Sequence, residues 1–116
     1  MSFTLADYMS ALSASDSKLT FDDTLAVIDG HYDFTPTMFK NGGVENAAGT
    51  NNGSCKVFSF AKLHDLTQAQ TLAMFAQHYQ NVLDEPEGDA HANIRAFMES
   101  GFEGLKFEGE ALKSKP

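Results

Sequence analysis

The stretch HYDFTPTMFKNGGVENAAGTNNGSCK, residues 31–56, is the one long segment of this chain without helical periodicity. Tyr32 and Phe34 alternate, and Pro36 excludes a regular helix interior while biasing Thr35 toward an extended backbone. From Lys40 to Gly53, fourteen residues hold four Gly and four Asn, including the turn pairs Asn41-Gly42 and Asn52-Gly53. The stretch therefore predicts an extended segment or edge strand, with a hairpin turning at Asn41-Gly42 as an option. A loop this long is usually functional or mobile, which makes it the place to look for a site.

Outward from it, the remaining segments read as capped amphipathic helices. Leu5, Tyr8, Met9 and Leu12 form one helical stripe, with Thr4 as cap, Asp7 in capping-box position and Phe3 and Tyr8 as a hydrophobic staple. That helix should fade in the Ser-rich residues 13–17, whose side chains compete for backbone hydrogen bonds. Thr20 starts a second helix, with Asp22 and Asp23 in its first turn and Phe21, Leu25, Ile28 and Tyr32 on one face. Gly30 offers a left-handed stop, predicting an end near Asp29.

Beyond the stretch, Ser54 can cap a third helix carrying Val57, Phe58 and Ala61, although Val57, Phe58, Ser59 and Phe60 also suit a buried strand. Thr67 and Gln70 form a capping box for a fourth helix with Leu72, Phe75, Ala76, Tyr79 and Leu83 in register. Pro86 and Gly88 mark a turn. Asp89 then caps a fifth helix that buries Ile94, Phe97 and Met98 and stops at Gly101, where Phe102 reaches back to Phe97. Leu105 and Phe107 suit a short strand, and residues 113–116 a frayed tail. The expected fold is mainly α, a single compact domain over residues 1–116 of about five helices with a small irregular or two-stranded β element in residues 31–46; α+β is the alternative class.

A chain of 116 residues buries roughly two-thirds of its unfolded surface, and 42% hydrophobic residues with ten Phe suffice for one core. Sixteen acidic residues against eight basic ones give a net charge of −8, which repels phosphate backbones and anionic headgroups. Nucleic-acid and membrane-surface binding are accordingly disfavoured. The single Cys excludes an internal disulfide, and no apolar run approaches the roughly 20 residues of a membrane span. No Sec-type leader is recognisable, so a reducing cytoplasm is the expected location.

The four His, at positions 31, 64, 78 and 91, lack the i, i+4 or Cys/His spacing that presents metal ligands jointly, so no metal site is read from them. His91 and Arg95 share a helix face, with Asn93 between them, and could hold an anion near the helix N-terminus. Alternatively Arg95 pairs with Asp84, Glu85 or Glu99. Ser54 and Cys55 lack a nucleophile signature, and Gly53-Ser54-Cys55-Lys56 lacks P-loop spacing. Asn41, Asn46, Asn51 and Asn52 either serve turns or line a small polar pocket with Tyr32 and Lys56.

Two sets of residues carry a family resemblance. His31 to Gly42 with Asn46, Gly49, Asn51, Gly53, Ser54, Cys55 and Lys56 resembles the first signature of the HopJ type III effector family. Phe75, His78, Tyr79, Val82, Leu83, Pro86, Gly88, His91, Asn93, Ile94, Arg95, Phe97, Met98, Gly101, Gly104 and Phe107 resemble its second. The resemblance covers residues 21–107. Phe102 stands where the family usually has Trp, Gln80 where it has Arg, and Ala76 where it has Gly.

The resemblance implies a bacterial protein and, as an alternative to the cytoplasm, secretion through a type III system; it brings no established reaction. The expected function is non-enzymatic binding of a protein partner or small polar ligand, without a cofactor and with the oligomeric state left open. The expected site draws on His31, Tyr32, Asn41, Asn46, Ser54, Lys56, His91, Asn93 and Arg95. The alternative is a small enzyme using His31 or His91 as acid/base in a polar cleft with Tyr32, Asn41 and Lys56.

Overall fold

The computed structural model describes residues 5–13, 20–88 and 90–114, and among these the chain forms six α-helices and five short strands. In order they are α1 (Leu5–Ser13), α2 (Phe21–His31), β1 (Tyr32–Phe34), β2 (Phe39–Asn41), β3 (Val44–Asn46), α3 (Asn52–Leu63), α4 (Gln68–Met74), α5 (Gln77–Asp84), α6 (Ala92–Ser100), β4 (Leu105–Phe107) and β5 (Leu112–Ser114). A 3-10 turn over Gly101–Gly104 links α6 to β4. The mainly helical expectation holds. The Thr4 cap, the Phe3 staple, the exit of α1 beyond Ser13 and the Asp89 cap lie outside the described residues.

The β content is larger than a single hairpin, because strands near the C-terminus return to pair with the central stretch. β2 and β3 form a hairpin, Phe39 opposite Asn46 and Asn41 opposite Val44, that turns on Gly42-Gly43, one residue beyond the expected Asn41-Gly42. β4 joins the other edge of β2, giving the order β3-β2-β4, and β1 pairs with β5. Lys113 and Ser114 are thus in a strand, correcting the frayed tail: Phe34 opposite Leu112 and Tyr32 opposite Ser114 hold them. The hairpin turn lies flat on the end of α6. A Cβ on Gly42 would come within 2.6 Å of Ser100 Oγ, and the Gly42 N–H donates to the Gly104 carbonyl at 3.0 Å.

The core is aromatic, with the fully buried Phe58 of α3 at its centre. Its ring meets Phe39 of β2 at 6.2 Å, Phe75 at 5.4 Å and Phe97 of α6 at 4.9 Å. Phe58 thereby joins sheet and helices, and the helical reading of residues 57–60 is the correct one. Tyr8 of α1 closes a second contact: it donates to Thr24 Oγ1 at 2.6 Å, and that hydroxyl donates to the Met74 carbonyl at 2.8 Å. Burial pushes the Tyr8 phenol up to about 12, so it remains a donor.

Four boundaries differ from the sequence reading. α2 runs on through Gly30 to His31, because Gly30 keeps a helical backbone and Tyr32 makes the exit in an extended conformation. α3 begins at Asn52, and Asn51, in a left-handed conformation, takes the N-cap position expected of Ser54. α6 begins at Ala92, with a left-handed His91 before it. The long fourth helix breaks at Ala76, whose φ of 50° and ψ of −119° no helix accommodates. The capping box at Thr67 forms as read, and Thr20, read as a helix start, closes a further box with Asp23.

The break at Ala76 has packing consequences. It frees the Met74 carbonyl for Thr24 and lets Phe75 stack on Phe21 at 5.8 Å. It also brings Gln77 Oε1 to the Phe21 N–H at 2.9 Å, satisfying an end group of α2. Leu83 and Met98, read as core, turn outward at 46% and 38% exposure; Val82 and Phe97 occupy the buried positions beside them.

Ala76 occupies a backbone conformation open almost only to glycine, a strain of order 1–3 kcal/mol for other residues. Ala76→Gly removes that strain. It should raise stability by about 1 kcal/mol after the extra entropy of unfolded glycine is subtracted, seen as a higher urea midpoint at unchanged m-value. A lower midpoint would mean that packing of the methyl group outweighs the strain.

Candidate functional site

The polar residues of the hairpin and of α6 meet in the interior. Asn41, Asn46 and Asn93 are buried, and Asn93 faces both hairpin strands. Asn41 Nδ2 donates to the Asn93 backbone carbonyl at 2.7 Å and to its Oδ1 at 3.1 Å. Asn46 and Asn93 exchange a reciprocal amide pair at 3.0 and 2.9 Å. Asn51 Nδ2 adds a bond to Asn46 Oδ1 at 2.6 Å. These side chains clasp β2, β3, α6 and the start of α3 together, and Asn41 and Asn46 are closed to solvent.

Beside the clasp lies an open cleft of about 370 Å³, lined by Phe21, Val44, Asn51, Gly53, Ser54, Phe75, His78 and the entry to α6 from His91 to Ile94. Of the helices that reach it, α3 and α6 do so at N-terminal ends without a side-chain cap: Asn51 is engaged with Asn46, and the His91 side chain makes no capping bond. The first N–H groups of a helix have no intrahelical acceptor, and they carry the positive end of its dipole. Two such ends, of α3 and α6, therefore border one cleft. Ser54 adds a hydroxyl, and His78 and His91 add imidazoles with ring centres 5.0 Å apart.

Ser54, His91 and Asn93 are thus brought together, Asn41 and Asn46 lie beneath them in the clasp, and the other predicted residues lie elsewhere. Phe21 opens α2 at the cleft and His31 closes it, so the length of that helix, about 15 Å, separates them. Tyr32 is buried at the same far end, its hydroxyl 2.7 Å from His64 Nε2 and its ring edge-on to Phe60. Lys56 Nζ pairs with Asp29 at 2.8 Å and lies over the Phe34 ring. The acid/base arrangement of a His with Tyr32, Asn41 and Lys56 is not assembled.

Among the described residues Arg95 pairs with no acidic side chain, and it does not join His91 in an anion site. Its guanidinium donates to the carbonyls of Ala90 at 2.6 Å, Glu85 at 2.8 Å and Pro86 at 3.1 Å, clamping the turn between α5 and α6. Cys55 is buried, with Sγ 3.7 Å from the Thr37 carbonyl, and burial pushes its thiol up, away from nucleophilic use.

The residue that sequence reading passed over is His78. Its spacing from His91 matches no ligand motif, and no local signal in the sequence pairs the two. The His78 ring packs edge-on to Phe21 at 4.8 Å. Burial lowers its basicity first and the neighbouring His91 next, against an opposing pull from Asp22.

Two outcomes follow for stability. Asn93→Ala leaves the Asn41 and Asn46 amides short of partners in the interior and should cost about 2–4 kcal/mol in urea denaturation; a loss below about 1 kcal/mol would show that water replaces the clasp. His64 and His78 are both depressed from 6.5 by burial. The unfolded chain then binds more protons than the fold below that value, so stability is complete above pH about 6.5 and falls as pH drops through the folded values. The urea midpoint should decline as pH falls below about 6.5, and His64→Gln and His78→Gln should each remove part of the decline.

The comparisons with known proteins agree with this architecture. Among curated proteins none matches. The chain is similar over 99% of its length to a solved structure described as "Crystal structure of unknown function protein VPA0580", with 46% sequence identity, 97% of that chain covered and a TM-score of 0.95. The family model described as HopJ type III effector protein matches residues 5–112. Nearly the whole described fold, clasp and cleft included, falls within that match, and the chain belongs to the HopJ type III effector protein family.

Proposed function

We propose that this protein is a non-enzymatic binding protein that takes a small polar ligand in the cleft between the starts of α3 and α6. The observation that supports this reading is the pairing of two uncapped helix N-termini across one open cavity. Such ends offer N–H donors to acceptor or anionic groups of a ligand. Ser54 and the two imidazoles extend the donor set, while Phe21, Phe75 and Ile94 supply apolar walls. That mixture of apolar lining and a few convergent polar groups is the usual make-up of a ligand site.

The binding reading is favoured over the enzymatic one because Tyr32, Lys56 and His31 stand at the far end of α2 and Asn41 is closed off. His91 is left in the cleft without the partners an acid/base role was expected to use. Delivery by type III secretion is a separate proposal supported by family membership alone; a reporter carrying the N-terminal segment tests it, and retention in a secretion-competent cell sinks it.

A thermal-shift screen of polar metabolites tests the cleft. A ligand at a hundredfold its dissociation constant should add about 2.7 kcal/mol, with Tm rising accordingly. Ser54→Phe, which fills the cavity, should abolish the shift, and hits should be recovered chemically unchanged after incubation. No shift across a broad panel, or conversion of a hit to product, overturns the proposal.

A further inference from the structure

The paired imidazoles at the cleft point to a ligand class of their own. His78 comes from α5 and His91 from the entry to α6, and both line the same cavity. Their ring centres are 5.0 Å apart with planes at 42°. With metal–nitrogen bonds of about 2.0–2.1 Å and a near-tetrahedral angle, two imidazoles on one ion have ring centres about 5 Å apart. The other two histidines are placed differently: His64 is engaged by Tyr32, and His31 closes α2 away from the cleft.

Two further observations favour a cation between the rings. His78 Nδ1 is buried without a protein partner, and a buried nitrogen left so calls for one. Asp22 favours positive charge at His78, and the chain's net charge of −8 raises the local concentration of cations.

We propose that His78 and His91 form an open two-imidazole site for a borderline divalent transition-metal ion of the zinc or copper class. Imidazole selects such ions over magnesium and calcium, which take oxygen ligands. Among the described residues no third His, Cys, Asp or Glu completes a ligand group. The ion therefore keeps positions open toward the cleft, where water or an anionic group can complete the coordination sphere against the N–H groups of α3 and α6. This rests on the cleft being a binding site, but its test uses metal alone and does not depend on the metabolite screen.

The experiment is calorimetric titration of the metal-free full chain with zinc chloride at neutral pH in a non-coordinating buffer, with magnesium chloride as comparison. Zinc should bind at one ion per chain and magnesium should not. His91→Ala, at an exposed position outside the helix, should weaken zinc binding by more than about tenfold. His78→Phe, which retains packing on Phe21, should do the same, and His31→Ala should leave binding unchanged. Copper(II) bound to the wild type should show nitrogen hyperfine coupling in its EPR spectrum that is lost in His91→Ala. Absence of zinc binding at millimolar concentration, or binding that survives His91→Ala undiminished, overturns the site. Should His78→Phe not fold, the His91→Ala result decides.

Discussion

The structure depends on the buried amide clasp between Asn93 and the hairpin residues Asn41 and Asn46. A buried primary amide must find partners, and misplacing one costs more than an apolar contact does, so the hairpin and α6 can dock in only one register. The clasp also settles how α3 begins. By drawing Asn51 to Asn46 it removes the side chain that would otherwise cap that helix. The open helix ends at the cleft are thus a by-product of the contact that holds the sheet to α6.

Around the clasp, apolar and polar work are divided by place. Phe58 and the rings that meet it carry the burial that drives folding, while Gln68, Gln77 and Arg95 close helix ends and turns through backbone groups. Gln68 donates to the last carbonyls of α6, and Arg95 gathers three carbonyls of the preceding turn. The charged side chain that a sequence reader would assign to an anion is therefore consumed by architecture. What remains free for a ligand is the smaller set facing the cleft.

The two family signatures acquire a physical meaning in this arrangement. The first supplies the hairpin, Asn46, Asn51 and Ser54; the second supplies His78, His91 and Asn93. They meet at the clasp and its adjoining cleft, whereas Tyr32 near the start of the first set and Lys56 at its close serve other contacts, Tyr32 on His64 and Lys56 between Asp29 and Phe34. The first set thus contains both structural and cleft-facing residues.

Much of the fold was legible because its signals are local. The helix start at Thr20, the capping box at Thr67, a hairpin beside Asn41-Gly42 and the Gly101 stop depend on neighbouring residues, and all form, the hairpin turn one residue further on. The break at Ala76 was hidden because the apolar spacing of Leu72, Phe75 and Tyr79 continues through it, and only the competing demands of Phe21 and Thr24 interrupt the helix. The return of Leu112 to Phe34 was equally invisible, since a strand partner far along the chain leaves no local mark. So with the site: composition and spacing by themselves determined a mainly helical acidic domain with a polar, Asn-rich stretch at its centre. Only tertiary structure decided that Asn41 and Asn46 face inward, that Arg95 clamps a turn and that His78 meets His91. Periodicity encodes which face of an element is buried, but not which distant side chain that face will touch.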